Sequence, residues 1–71
     1  MDMGERIKYL RNLKGWTQEE VGAKVGMQKS AIAKYEKGNV ENMKRSIIKK
    51  MSELFEVSPS YLMALDDLDK Y

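Results

Sequence analysis

The 71-residue sequence contains no cysteine and no histidine. Without them a zinc finger, a thiol nucleophile and a Ser-His-Asp triad have nothing to be built from. No disulfide can staple the fold, so the chain has no need of an oxidising compartment. Long hydrophobic runs are missing as well. The longest, residues 61–65, has five residues, against the ~20 needed to cross a bilayer. The first residues lack the basic-then-apolar layout of a signal peptide. Strand signals, internal repeats and low-complexity stretches are absent too. One small soluble domain remains, expected in the cytoplasm and close to the size below which apolar burial barely exceeds conformational entropy. Tight helix packing or a partner subunit is expected to help it fold.

Charge is present in quantity but unevenly. The formal net charge is only +2, yet residues 1–50 carry a net of +6 and residues 51–71 a net of −4. The steepest stretch, residues 29–50, holds seven bases (Lys29, Lys34, Lys37, Lys44, Arg45, Lys49, Lys50) and two acids. A basic middle followed by an acidic end suggests a surface that meets an anion on one side. An ordinary solvated helical surface has the same composition, so charge alone does not decide between them.

Helical spacing runs through almost the whole chain. A first helix is expected over Met3–Lys14, with Met3, Ile7, Leu10 and Leu13/Lys14 following the apolar pattern and Arg6, Lys8, Arg11 and Asn12 on the other faces. Gly15 follows as a left-handed cap, and Trp16 has the size to close that end of the core. Thr17-Gln18-Glu19-Glu20 is a capping box opening a short second helix. Val21 and Val25 form its apolar side and Gly26 its end. Gly22 lies inside this helix at a cost of about 1 kcal/mol relative to alanine, which implies close approach by a neighbouring helix backbone. The third helix begins at Gln28 or Lys29 and ends near Lys37, capped by Gly38. Its apolar contacts are few, Ile32 and Tyr35 after Met27. Its outer face carries Gln28, Lys29, Ser30, Ala33, Lys34 and Lys37. After a loop over residues 38–43, a fourth helix is expected over residues 43–55. Ser58 and Pro59 open a fifth, with Val57 and Leu62 as a hydrophobic staple, ending near Leu65. The domain therefore spans residues 1–65, and residues 66–71 form a short acidic tail.

The second and third helices, joined at Gly26, satisfy the helix-turn-helix pattern at every checkpoint: Val21, Gly22, Val25, Gly26, Met27, Ile32 and Tyr35. Gly22 then lets the two helices cross closely. Here the chain resembles the Cro/repressor-type helix-turn-helix domains of the XRE superfamily, found in phage repressors and many small bacterial regulators. The resemblance covers roughly residues 4–65. It rests on Gly4-Glu5-Arg6-Ile7-Lys8-Tyr9-Leu10-Arg11, Trp16-Thr17-Gln18-Glu19-Glu20-Val21-Gly22, Lys34-Tyr35-Glu36-Lys37-Gly38 and Leu54-Phe55-Glu56-Val57-Ser58-Pro59-Ser60-Tyr61-Leu62, all in matching order. It implies an all-α, compact five-helix bundle of the lambda-repressor-like kind. The third helix would dock in the major groove of double-stranded DNA, and a dimer would bind a palindromic operator. Gly22 stands where alanine is common in the family and Gln28 where a serine or threonine cap is common. Residues 39–44 lack the proline often found there.

The resemblance also implies roles. The first two turns of a recognition helix present side chains to base edges, here Gln28, Lys29, Ser30 and Lys34. Lysine can donate to guanine and glutamine can pair with adenine, while serine is permissive. Thr17 and Gln18 would grip a phosphate through the amide end of their helix. Lys37, Asn39, Lys44 and Arg45 would hold the backbone elsewhere. Arg11 and Glu36 resemble a structural pair joining the first helix to the end of the third. Tyr61, Met63 and Leu65 offer apolar surface beyond what the fifth helix needs and would form a small, weak homodimer contact. Lys49 and Lys50 read as a solvated face, and the Ser46-x-x-Lys49 spacing as chance. The expected function is a transcriptional regulator of repressor type. The competing reading is a protein-interaction module, such as an antitoxin-like partner using the same fold. No acid, base and nucleophile come together, so no enzyme is expected, and no metal, cofactor or membrane contact.

Overall fold

The computed structural model describes residues 1–65. The acidic tail over residues 66–71, with Leu68, lies outside them. Five helices and no strand occur among the described residues: α1 Met3–Lys14, α2 Gln18–Val25, α3 Lys29–Glu36, α4 Arg45–Phe55 and α5 Pro59–Leu62. None is long and apolar enough to cross a membrane. The fold is the expected all-helical bundle.

Local chemistry accounts for most boundaries. Asp2 accepts from the Glu5 amide while the Glu5 carboxylate accepts from Asp2, a capping box at the start of α1. Gly15 and Gly26 end α1 and α2 at φ 73° and 75°, where a Cβ would be strained. Ser58 accepts from the Tyr61 amide, and Pro59 takes the first position of α5.

Two boundaries differ from expectation. α4 begins at Arg45, two residues later than the pattern suggested. Met43 is buried before the helix starts, and its amide closes a turn onto Val40 O at 3.0 Å. The apolar residue thus anchors the loop. α5 stops at Leu62 instead of near Leu65. Ala64 turns to φ 59° and returns its amide to Tyr61 O, a turn that apolar spacing does not announce.

The core is built on the fully buried Ile7, Val21, Val25, Ile32, Met51 and Leu62. Each contributes about 1.5–3 kcal/mol of burial. α3 packs against both α2 and α1, α4 against α2 and α5, and α5 closes back on α1. Two glycines make these approaches possible. A Cβ on Gly4 would stand 2.5 Å from Tyr35 O and 2.9 Å from Gly38 N, so α1 lies directly on the end of α3. A Cβ on Gly22 would stand 2.5 Å from Met27 O. The neighbour that demands glycine at position 22 is therefore the turn entering α3, not the body of another helix. Leu13, expected in the apolar row of α1, is 65% exposed, because it lies roughly a quarter turn round from Met3, Ile7 and Leu10. Arg6 is the opposite departure. Read as an outer-face residue, it is buried, because α5 docks over it. Its Nη1 donates to Tyr61 O at 2.8 Å and its guanidinium sits 4.2 Å from the Tyr61 ring centroid.

Candidate nucleic-acid interface

The buried side of α3 is narrow, consisting of Ile32 and Tyr35 with Ala31, Ala33 and Glu36 half-buried. Lys29, Ser30, Lys34 and Lys37 are exposed, as is Gln28 at the N-cap. At 100° per residue Lys29, Lys37, Ser30 and Lys34 sweep one continuous outer face, while Gln28 stands outside the helix as its extended N-cap. A short helix with this split gains little from burial, and its polar side stays available to solvent or a ligand.

The five helix starts fall into two groups. α1, α2 and α5 each have a side chain capping a backbone amide, and α1 and α2 carry acids in the first turn. α3 and α4 have neither. Gln28 and Lys44 make no side-chain cap, no acid stands in either first turn, and Lys29, Lys44 and Arg45 put cations there. Free amides and the positive end of the dipole favour an anion at that position, worth roughly 0.3–1 kcal/mol, and disfavour a cation. The two helix starts are therefore left electrostatically incomplete in the isolated chain, in a way that phosphate would complete.

The start of α2 is closed by its own residues on one side. Thr17 Oγ accepts from the Glu20 amide at 3.1 Å, and the Thr17 amide donates to Glu20 Oε1 at 2.9 Å. The Thr17 amide, by donating to the carboxylate, holds the Glu20 carboxyl below its ordinary value. The first-turn amides of Gln18 and Glu19 have no carbonyl partner within the helix. The Gln18 side chain is half-buried and donates to Glu36 Oε1 at 3.1 Å. Arg11 Nε meets Glu36 Oε2 at 2.6 Å, and this hydrogen bond raises the guanidinium's already high pKa.

The structure sorts the expected site residues. Thr17, Gln18 and Lys29 line one hollow together with Trp16, joining the start of α2 to that of α3. Lys44 lines another beside Gly26, Met27 and Tyr35. Lys37 and Asn39 are exposed just beyond α3. Arg45 lies apart from Lys44, on a groove with Ile48, Lys49, Pro59 and Met63. Tyr61 packs its ring against Arg6 yet is exposed to the same degree as Met63, and Leu65 is exposed as well. Lys24, which the sequence reading passed over, lies 4.8 Å from the Trp16 ring centroid. The sequence signal for that contact is the lone tryptophan, eight residues earlier.

A helix-turn-helix family model matches residues 7–62. The chain belongs to the XRE-type helix-turn-helix family. Within this family the chain is 30% identical over 70 residues to the HTH-type transcriptional regulator ImmR of Bacillus subtilis (strain 168), covering 99% of this chain and 54% of the relative. It is 31% identical over 65 residues to the competence pilus inhibition repressor of Acinetobacter baylyi, covering 92% and 58%. The chain thus spans little more than half the length of these relatives. Among solved structures, the P22 c2 repressor in complex with a synthetic operator superimposes with a TM-score of 0.82 at 30% identity, over 89% of this chain and 94% of that one.

Proposed function

We propose that this chain is a sequence-specific, double-stranded-DNA-binding transcriptional regulator of repressor type, acting in the cytoplasm by inserting α3 into the major groove. The observation that carries the reading is the exposed polar face of α3, set on a helix whose start lacks both cap and acid. Repressor-named relatives and the operator-bound structural neighbour support it.

Gln28, Lys29, Ser30 and Lys34 read base edges. The amides of Gln18 and Glu19 grip one phosphate beside the Thr17 cap. Lys37, Asn39, Lys44 and Arg45 neutralise others. Because the Gln18 amide group is engaged by Glu36, position 18 acts through its backbone. The partner is a palindromic operator bound by a weak homodimer, with Met63 and Leu65 at the two-fold contact. Ile48 and Pro59 extend that surface, and Tyr61 supports it from its place against Arg6.

The test is selection from a random duplex library. An enriched palindrome with half-site centres roughly 34–36 Å apart is expected. Lys29→Ala is expected to change the base preferred at one position, at a cost of about 1–3 kcal/mol on the preferred site. Lys44→Ala is expected to weaken all duplexes alike and to reduce the salt slope by about one. Failure to enrich any duplex at low ionic strength overturns the proposal and leaves the protein-interaction reading.

A further inference from the structure

Glu36, the last residue of α3, has a side chain only 4% exposed. Its two oxygens receive three hydrogen bonds. Arg11 Nε donates to Oε2 at 2.6 Å, and Arg11 Nη2 and Gln18 Nε2 each donate to Oε1 at 3.1 Å. Arg11 Nη1 in turn donates to Trp16 O at 2.9 Å. One carboxylate thereby joins the last turn of α1, the turn before α2, the first residue of α2 and the end of α3. The arginine fork makes the geometry of the join specific as well as strong.

α2 and α3 are therefore fastened at both extremities. Their near ends meet at the turn, where the Met27 amide donates to Gly22 O at 2.7 Å and glycine at position 22 lets the backbones touch. A turn alone is a pivot. The bond from Gln18 to Glu36 closes the far ends and fixes the crossing of the two helices. We infer that Gln18 and Glu36 are positioning residues, which set the distance between the phosphate-gripping start of α2 and the base-reading face of α3. The inference rests on the DNA-binding reading. It predicts that breaking the tie damages discrimination between sequences more than affinity for DNA in general, because a recognition constellation tolerates only about 0.5 Å of error, whereas phosphate attraction is long-ranged.

Gln18→Ala tests this, since it leaves the Arg11–Glu36 pair intact. The unfolding midpoint is expected to fall only by the worth of that one bond, with the fold retained. In the DNA-free protein, amide hydrogen exchange in the first turn of α2 and the last turn of α3 is expected to quicken roughly tenfold, the scale of one hydrogen bond to a charged group. Affinity for the selected palindrome is expected to fall about tenfold, and affinity for a mixed-sequence duplex by clearly less. Unchanged exchange at both places overturns the inference. So does equal weakening on both duplexes, which would make the Gln18 side chain a direct phosphate contact. A purely structural role would lower the midpoint and leave the ratio of affinities for the two duplexes unchanged. If no palindrome is selected, the DNA reading fails together with the proposed role in discrimination. The exchange rates still decide whether the tie holds the two helices. Glu36→Gln serves as a second variant, expected to quicken exchange at the same two places.

Discussion

At the scale of single residues, two backbone features carry measurable consequences. Gly4 touches three backbone atoms of the α3 end, and backbone cannot swing aside as a long side chain can. Gly4→Ala is expected to lower stability by about 1–3 kcal/mol, the usual cost of overpacking, even though alanine is the better helix former. Thermal unfolding measures it, and an unchanged or raised midpoint would contradict the contact. Glu56 points the other way. It caps α4 at φ 59°, a conformation that costs a residue with a Cβ about 1–2 kcal/mol. Its ion pair with Lys14 at 3.3 Å is exposed, where such pairs contribute little. Glu56→Gly is expected to stabilise the protein by about 0.5–1 kcal/mol, read from urea unfolding. Neither feature shows in a hydropathy pattern, because both depend on what the backbone meets or how it turns.

At the scale of elements, the helix starts divide by task. In α2 the bond from the Thr17 amide lowers the Glu20 carboxyl in the folded state. A lowered carboxyl contributes stability that is present above its unfolded value and disappears as pH falls through the folded one. Urea unfolding of wild type and Glu20→Gln is therefore expected to differ most at neutral pH, with wild type the more stable, and to converge as pH falls below the ordinary carboxylate range. The raised Arg11 value has the opposite sign. Its contribution is complete below the ordinary arginine range and lost only above it, so it stays constant throughout that experiment. The uncapped start of α4 offers a trade. Lys44→Ser supplies a cap and removes a cation from the positive end of the dipole, and is expected to stabilise the free protein by about 1 kcal/mol. The same change is expected to weaken DNA binding if Lys44 has the phosphate-neutralising role proposed for it. A variant that gained both stability and affinity would refute that account. The sequence pattern was enough to identify Gln28 as a weak cap. For Lys44 it was not, because the start of α4 depends on where buried Met43 lets the loop end.

For the whole molecule, salt separates two associations of opposite electrostatics. DNA binding releases counterions and weakens as salt rises. The proposed dimer surface is apolar at Ile48, Pro59 and Met63 but rimmed by Arg45 and Lys49. A two-fold contact brings like charges on such a rim together, and salt screens their repulsion. Sedimentation equilibrium is expected to find dimerisation strengthening between roughly 50 and 300 mM salt, while operator affinity falls over the same range. Dimerisation that weakens with salt would place the contact elsewhere.

Apolar spacing, the Thr17–Glu20 capping box, the Ser58-Pro59 start and terminal glycines specify five helices in order, because these signals act over three or four residues and need no partner; the Asp2–Glu5 box emerged only with the structure. They also placed the exposed face of α3, which follows once Ile32 and Tyr35 are assigned inward. Assembly alone decided that Arg6 is buried under α5, that the Gln18 amide turns to Glu36, and that Arg45 and Lys44 stand on different grooves. In each case the side chain's surroundings come from residues many positions away. A charged or polar side chain takes the partner that packing brings within reach, and the helical period of its own segment does not reveal which one that is.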